Sequence, residues 1–321
     1  MTRTVTNAPP APNSTPLAEL GQVWLDGQLV PGEQAAISVM DHGVLYGDGV
    51  FEGIRVYNGR IFKLGQHLDR LYDCASRIRL DLAAHCSRDQ MTQILRRTVA
   101  ANELVNGYIR LVVTRGDGTL GLNPFKCPEP GIICIADQIA LYPPELYETG
   151  MRVVVANRRR IGRDALDPRI KSLNYLNNIL AKVEAIDHGC LEVIMLSPEG
   201  AVGECSGDNI FLVKNGELHT PRVEDGILEG ITRRFVMAEL APKAGIAVHE
   251  RRITLDEVLE ADEVFLTGSA AEMIAVTQVD TQTPDGKIEK AYPISDGEGP
   301  VTAKLRGMFT DVVTSDDVPE D

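Results

Sequence analysis

The chain has 321 residues, 44% of them hydrophobic and 24% charged, which suits one large or two ordinary globular domains. A formal net charge of −14 disfavours a nucleic-acid backbone or an anionic membrane as partner, yet leaves room for a local cationic pocket. No apolar run approaches the roughly 18 residues of a membrane-spanning helix. Six scattered cysteines without a C-x-x-C pair, and six histidines without H-E-x-x-H, suggest neither a disulfide framework nor a metal centre and fit a reducing cytoplasm.

Residues 1–20, rich in Pro, Ala, Ser, Thr and Asn, read as a disordered arm with no apolar signal-peptide core. "QVWLDGQLV" reads as a hairpin turning at Asp26-Gly27, and "GDGVFEGIRVYNGRIFKL" as two more strands turning at Asn58-Gly59. "GQHLDRLYDCASRIRL" sets Leu68, Leu71, Ala75 and Ile78 at helical spacing, and "RDQMTQILRRTVAANEL" is a second amphipathic helix. "GYIRLVVTRG" and "GIICIADQIAL" are strand-like. Residues 21–138 thus read as a small α+β domain with antiparallel strands. Residues 139–148, marked by Pro143-Pro144, are the expected interdomain linker.

The second unit is expected over residues 149–314. It opens with the strand "MRVVVANRRR", followed by a helix "YLNNILAKVEAIDHG" ending at Gly189. "EVIMLSP", "GAVGEC" and "NIFLVKNGELHTP" are strands, the last turning at Asn215-Gly216. "GITRRFVMAELAPKAG" reads as one helix, and "TLDEVLEA" opens with a capping box of Thr254 and Glu257. "DEVFLTGSAAEMIAV" is a strand running into a loop. Residues 315–321 form an acidic tail.

Several stretches could carry chemistry. Lys171 lies where an irregular segment gives way to a helix, with Tyr175 one helical turn later. A lysine whose pKa is lowered acts as a Schiff-base nucleophile, whereas an ordinary one is simply solvated. A cation at a helix start opposes the macrodipole, which speaks mildly against the ordinary reading. Glu204, in "GECSGDNIF", is either an exposed turn residue or a buried carboxylate that holds a ring nitrogen protonated. Gly230 precedes a helix beginning at Ile231 and Thr232, whose N–H groups and hydroxyl form a phosphate cradle or a plain cap. In "TGSAAE", Gly268, Ser269 and Ala270 offer N–H groups to an anion or make a tight turn. Arg70 shares a helix edge with His67 and Cys74, as a solvated side chain or a bidentate phosphate ligand. The Arg-rich "NRRRIGRD", 157–164, offers charge without a mechanism.

Taken together, "ECSGDNIF", "LHT" and "LEGITR" resemble the signature of the class IV (fold type IV) pyridoxal phosphate-dependent aminotransferases. Glu204, Ser206, Asn209, Phe211, Thr220, Gly230 and Arg233 fall at the family spacing. "HGVLYGDGVFEGIRVY", "HLDRL", "YIRLVVTRGDGTLGLNP", "KSLNYLNNILAKVEA" and "TGSAAE" appear in family order, so the resemblance spans roughly residues 22–312. "FEGIR" and "YIR" are similar to the branched-chain amino acid aminotransferases.

The resemblance implies a two-domain α+β / α/β fold: a small α+β domain, a larger domain with a β-barrel-like core, and an active site between them. It implies pyridoxal 5′-phosphate as cofactor, with Lys171 as its covalent partner and as the proton shuttle between Cα and C4′. Glu204 would pair with the pyridinium nitrogen and Tyr175 with O3′. Arg70, Ile231, Thr232 and Ser269 would hold the phosphate. Tyr108 and the N–H groups of Ser269 and Ala270 would meet the substrate carboxylate. Tyr46, Phe51, Gly53, Leu120 and Leu122 would line the side-chain pocket, with Tyr46 and the "TLGL" loop reaching in from a partner subunit. Arg55 and Arg110 would receive the distal carboxylate of glutamate.

The implied reaction is transamination of L-leucine, L-isoleucine and L-valine with 2-oxoglutarate, in a homodimer or higher homo-oligomer with shared active sites. D-amino acid or (R)-amine transaminases and aminodeoxychorismate lyases share the fold and are the alternatives. Three departures stand out. Cys205 replaces a common Gly, Ser269 a common Thr, and Arg115, also seen in D-specific relatives, is followed by "GDGTLG" without the histidine that accompanies it there.

Overall fold

Three hairpins turn on pairs of residues with positive φ, at Asp26-Gly27, Asn58-Gly59 and Asn215-Gly216. Asp, Asn and Gly tolerate the left-handed region that a two-residue hairpin turn needs. The computed structural model describes residues 20–139, 141–315 and 317–320, so the expected N-terminal arm, Leu20 apart, lies outside the described residues.

The first hairpin joins β1 (Gln22–Leu25) to β2 (Gln28–Pro31), and the second joins β3 (Gly49–Tyr57) to β4 (Arg60–Ile61). With β5 (Gly107–Thr114) and β6 (Gly131–Asp137) they form an antiparallel sheet of order β2-β1-β6-β5-β3-β4. Helices α1 (His42–Tyr46), α2 (Leu64–Arg77), α3 (Leu82–His85) and α4 (Arg88–Ala101) complete this half. Strand side chains alternate between faces. Val50, Ile54, Val56, Ile109, Leu111 and Val113 face inward and pack with Leu68, Leu71 and Leu95 of the helices. The opposite face presents Phe51, Gly53 and Arg55 beside Tyr108 and Arg110, in the register Gly53–Arg110 and Arg55–Tyr108.

The second half holds β7 (Met151–Val155), β8 (Glu192–Leu196), β9 (Val202–Cys205), β10 (Asn209–Lys214), β11 (Glu217–Pro221), β12 (Val248–Arg251), β13 (Glu263–Gly268), β14 (Glu272–Gln282) and β15 (Ile288–Pro293). Their order is β12-β11-β10-β13-β14-β7-β8-β9, with β15 on β14. The sheet is mixed, parallel at β11/β12, β14/β7 and β7/β8. It curls so that β9, at one end, comes back against β10 and β11, giving a half-barrel. Around it lie α5 (Leu146–Thr149), α6 (Leu176–Asp187), α7 (Ile231–Phe235), α8 (Ala241–Ala244), α9 (Leu255–Leu259) and α10 (Pro300–Thr314).

Three segments differ from expectation. The single helix expected over "GITRRFVMAELAPKAG" widens into a π-turn at Val236–Leu240 between α7 and α8. Pro242 has no N–H to continue the ladder there. The linker carries α5 and buries Tyr142, whose hydroxyl donates to Asp208 Oδ2 at 3.1 Å. The acidic tail is tied down: Val318 is buried among Phe235 and Phe309, and the carbonyls of Pro319 and Glu320 accept from Lys63 N and Gly65 N at 2.8 and 2.9 Å. Those contacts answer backbone donors at the start of α2 that no helical turn can satisfy.

Candidate active site

Lys171 does not sit on a helix start. β4 pairs only with Val56 and Tyr57, which leaves the front half of that edge of β3 free. The segment 171–173 fills it: Phe51 N donates to Lys171 O at 3.0 Å, Leu173 N donates to Gly49 O at 2.9 Å, and Ser172 bridges Val50. Backbone groups on a buried strand need such partners. Helix α6 begins only at Leu176, with Tyr175 at its N-cap, so the macrodipole penalty expected for Lys171 does not arise. Its Nζ donates to the Tyr175 hydroxyl at 3.3 Å and stands 4.5 Å from the centre of the Phe51 ring. Among the described residues no carboxylate pairs with it.

Glu204, on β9, is buried and held from three sides. Oε1 lies 2.7 Å from Arg160 Nη2, while Oε2 accepts from Asn209 Nδ2 and Leu228 N, both at 3.0 Å. Burial raises its carboxyl, and the Arg160 charge and the Leu228 N–H offset part of that rise. One residue beyond Leu228, the Glu229 carbonyl accepts from Arg70 Nη1 at 2.8 Å, and Gly230, Ile231 and Thr232 follow. The strip 228–232 therefore links Glu204, Arg70 and the start of α7. Arg70 also grips Glu52, with Nε to Oε1 and Nη2 to Oε2 both at 2.7 Å, and His67 Nδ1 completes the cluster 2.7 Å from Glu52 Oε2. Burial alone would raise the Glu52 carboxyl; the charge of Arg70, then that of His67, outweighs it and holds it well below the ordinary range.

Across from Lys171, Phe51 packs edge-on to Tyr175 with ring centres 5.0 Å apart. Arg110 lies over the Phe51 and Tyr108 rings at 4.7 and 5.6 Å. Gly53 lets the Tyr108 hydroxyl approach, since a Cβ there would stand 1.8 Å from it. Arg55 points along the same face but is engaged by Glu272, Nη2 to Oε1 at 2.5 Å. Ser269 and Ala270 form the turn between β13 and β14 just before that glutamate.

The Amino-transferase class IV family model matches residues 49–279. The chain belongs to the class IV aminotransferases. A Methanocaldococcus jannaschii protein assigned as a branched-chain-amino-acid aminotransferase is 45% identical over 293 residues, covering 91% of this chain and 96% of its own. A D-alanine aminotransferase of Listeria monocytogenes is 35% identical over 297 residues, covering 91% of this chain and 96% of its own. Among solved structures, the branched-chain amino acid aminotransferase from Escherichia coli superimposes with a TM-score of 0.80 at 31% identity, covering 92% of this chain and 95% of that one.

Class IV aminotransferases work with pyridoxal 5′-phosphate, and the residues here fit it. Lys171 offers an amine that meets no countercharge among the described residues, beside a phenol. The Thr267 hydroxyl, at the end of β13, is buried without a hydrogen-bond partner among the described residues. The class IV chain also uses residues the motif reading passed over. Glu52 and Glu272 gave no local signal. Arg160 lay within a run of arginines whose only visible property was charge. Arg115 is bidentate to Asp48, both contacts at 2.9 Å, and donates to the carbonyls of Ile78 and Arg79. Tyr46, Leu120 and Leu122 do not join Lys171 within one chain. The Tyr46 hydroxyl accepts from Gly121 N at 2.9 Å, and Leu120 and Leu122 are 73% and 81% exposed.

Proposed function

We propose that this aminotransferase moves the amino group between branched-chain L-amino acids and 2-oxoglutarate. The observation that carries the reading is the pocket face beside Lys171. Phe51 and the edge of Gly53 form an apolar wall, and Arg110 stands at its rim with no carboxylate partner among the described residues. One pocket must take a branched aliphatic chain in one half-reaction and an acidic one in the other. A wall with one cation at its edge serves both.

When bound, pyridoxal 5′-phosphate supplies the carbonyl carbon and the electron-accepting ring on which transamination runs. Lys171 Nζ is the base that takes the substrate Cα proton and returns it, with the Tyr175 hydroxyl orienting the amine. Glu204, paired with Arg160, would meet the ring nitrogen. Arg70, held by Glu52, would meet the phosphate together with Ile231, Thr232 and Ser269. Tyr108 and the N–H groups of Ser269 and Ala270 take the α-carboxylate.

The D-amino acid reading draws on the D-alanine relative. Against it, the Arg115 guanidinium is already matched by Asp48 and turned toward backbone carbonyls, so it presents no free charge to a carboxylate. We further infer a homodimer in which Tyr46 and the loop 119–122 complete the partner's pocket. Leu120, Leu122 and the outward residues Leu176, Ile179 and Ile186 of α6 are exposed apolar surface that a second copy would cover. The six free cysteines suit a cytoplasmic location, and no described helix is long and apolar enough to cross a membrane. A panel of amino donors in both enantiomers with 2-oxoglutarate tests the reading. L-leucine, L-isoleucine and L-valine should exceed D-alanine by orders of magnitude, and the reverse order would sink it.

A further inference from the structure

Glu272 opens β14 with φ +59°, a backbone conformation that an L-residue adopts only at a cost. Glycine would fit this turn more easily, so the backbone does not explain the residue. Its side chain does: Oε1 lies 2.5 Å from Arg55 Nη2 and accepts from the Tyr57 hydroxyl at 2.7 Å. That hydroxyl in turn accepts from Arg55 Nε at 3.3 Å. The pair is 18% and 24% exposed, so water screens it only in part. It also crosses between the two sheets, since Arg55 and Tyr57 are on β3 and Glu272 follows the Ser269–Ala270 turn.

Two arginines thus stand on one sheet face in different electrostatic states. Arg55 stands opposite Tyr108 in the strand register and is matched by Glu272. Arg110 stands opposite Gly53, rests on the rings of Phe51 and Tyr108, and forms no ion pair among the described residues. The pocket face therefore carries one uncompensated guanidinium, not two. We infer that Glu272 is a specificity-determining residue: by matching Arg55 it keeps the pocket tolerant of aliphatic side chains and leaves Arg110 alone to serve the second carboxylate of an acidic substrate. The inference rests on the amino-acid substrates proposed above. The glutamate side chain carries one negative charge more than that of leucine. A unit change of charge in the pocket therefore acts on the difference between them, whichever carboxylate lies nearer.

The test measures kcat/KM for L-glutamate and L-leucine in separate half-reactions of the holoenzyme. It also measures the dissociation constants of glutarate and 4-methylpentanoate. Glu272→Gln frees the Arg55 charge and should raise the glutamate-to-leucine ratio roughly tenfold, the size expected of one charge in a partly buried site. Arg55→Gln strips the partner from Glu272 and should move the ratio the other way. The two inhibitors should follow the same signs. A merely structural clamp would lower both substrates by one factor in both variants, and that result overturns the inference. Should Glu272→Gln not fold, an unchanged or raised ratio in Arg55→Gln overturns it alone. Wild-type enzyme inactive on L-leucine would instead overturn the substrate reading, whereas wild-type turnover of both with unmoved ratios removes only the role of Glu272.

Discussion

Arg160 Nη2 and Glu204 Oε1 form a buried ion pair at 2.7 Å, and Arg160 Nη1 beside it has no hydrogen-bond partner among the described residues. Arg160 also donates through Nε to the Gly226 carbonyl at 3.2 Å, which fixes its plane. A buried carboxylate stays ionised only with such a partner.

Removing that partner has a signed consequence. In Arg160→Gln the Glu204 carboxyl rises further, since burial already raises it and Arg160 leads the opposing effects. A carboxyl raised on folding keeps a proton that the unfolded chain releases. Stability is then greatest below the unfolded value and is lost as pH rises toward the folded one. Arg160→Gln should lose about 3–5 kcal/mol at neutral pH. Its Tm should fall more steeply than wild type as pH rises above the ordinary carboxylate range, while kcat should rise in the same direction as Glu204 ionises. Parallel Tm profiles with an unchanged kcat profile would refute this coupling.

Lys171→Ala should separate chemistry from folding. The amine's hydrogen bond to Tyr175 is long, at 3.3 Å, so its loss should cost about 1 kcal/mol or less. Turnover of L-leucine should drop by at least ~10²-fold, the share of a positioned proton-transfer group. Melting curves and a coupled 2-oxo acid assay measure both, and full turnover would remove Lys171 from the mechanism.

Gly53→Ala probes the proposed carboxylate contact of Tyr108. The new methyl would stand 1.8 Å from the Tyr108 hydroxyl, the movable end of a side chain, so the phenol swings aside and the fold survives. KM for L-leucine should rise on the order of 10-fold with a smaller change in kcat. An unaltered KM would show that Tyr108 does not meet the substrate.

Asp208 offers a pH test away from Lys171. Burial, then the charge of Glu192, pushes its carboxyl up to about 7, against the hydrogen bond from Tyr142. Its folded value is raised, so its contribution is greatest in acid and is lost as pH climbs through about 7. Asp208→Asn should flatten the decline of folding stability between pH 4 and 8 by an amount on the order of 4 kcal/mol. Variant and wild-type curves of equal slope would exclude the effect.

Much of this molecule was legible along the chain. Asn-Gly and Asp-Gly pairs between alternating apolar residues marked the hairpins, and the Thr254–Glu257 capping box marked α9, because turns and caps are built from neighbours. Motif order pointed to Lys171, Tyr175, Glu204 and the Ile231–Thr232 start of α7 for the same reason. The backbone placement of Lys171 was not legible, since the free edge of β3 that holds it lies more than a hundred residues earlier.

By itself the sequence determined the family, the hairpin registers and the group of residues around the lysine. Only the tertiary structure decided their charge states. Arg55 and Glu272 stand 217 positions apart, and Arg115 and Asp48 67, so nothing local announces either pair. Arg110, in strand β5 like many an arginine, became an open cation beside Phe51 only because no described neighbour supplies a carboxylate. Coulomb energy and burial depend on distance through space, and that distance exists only once both sheets are packed.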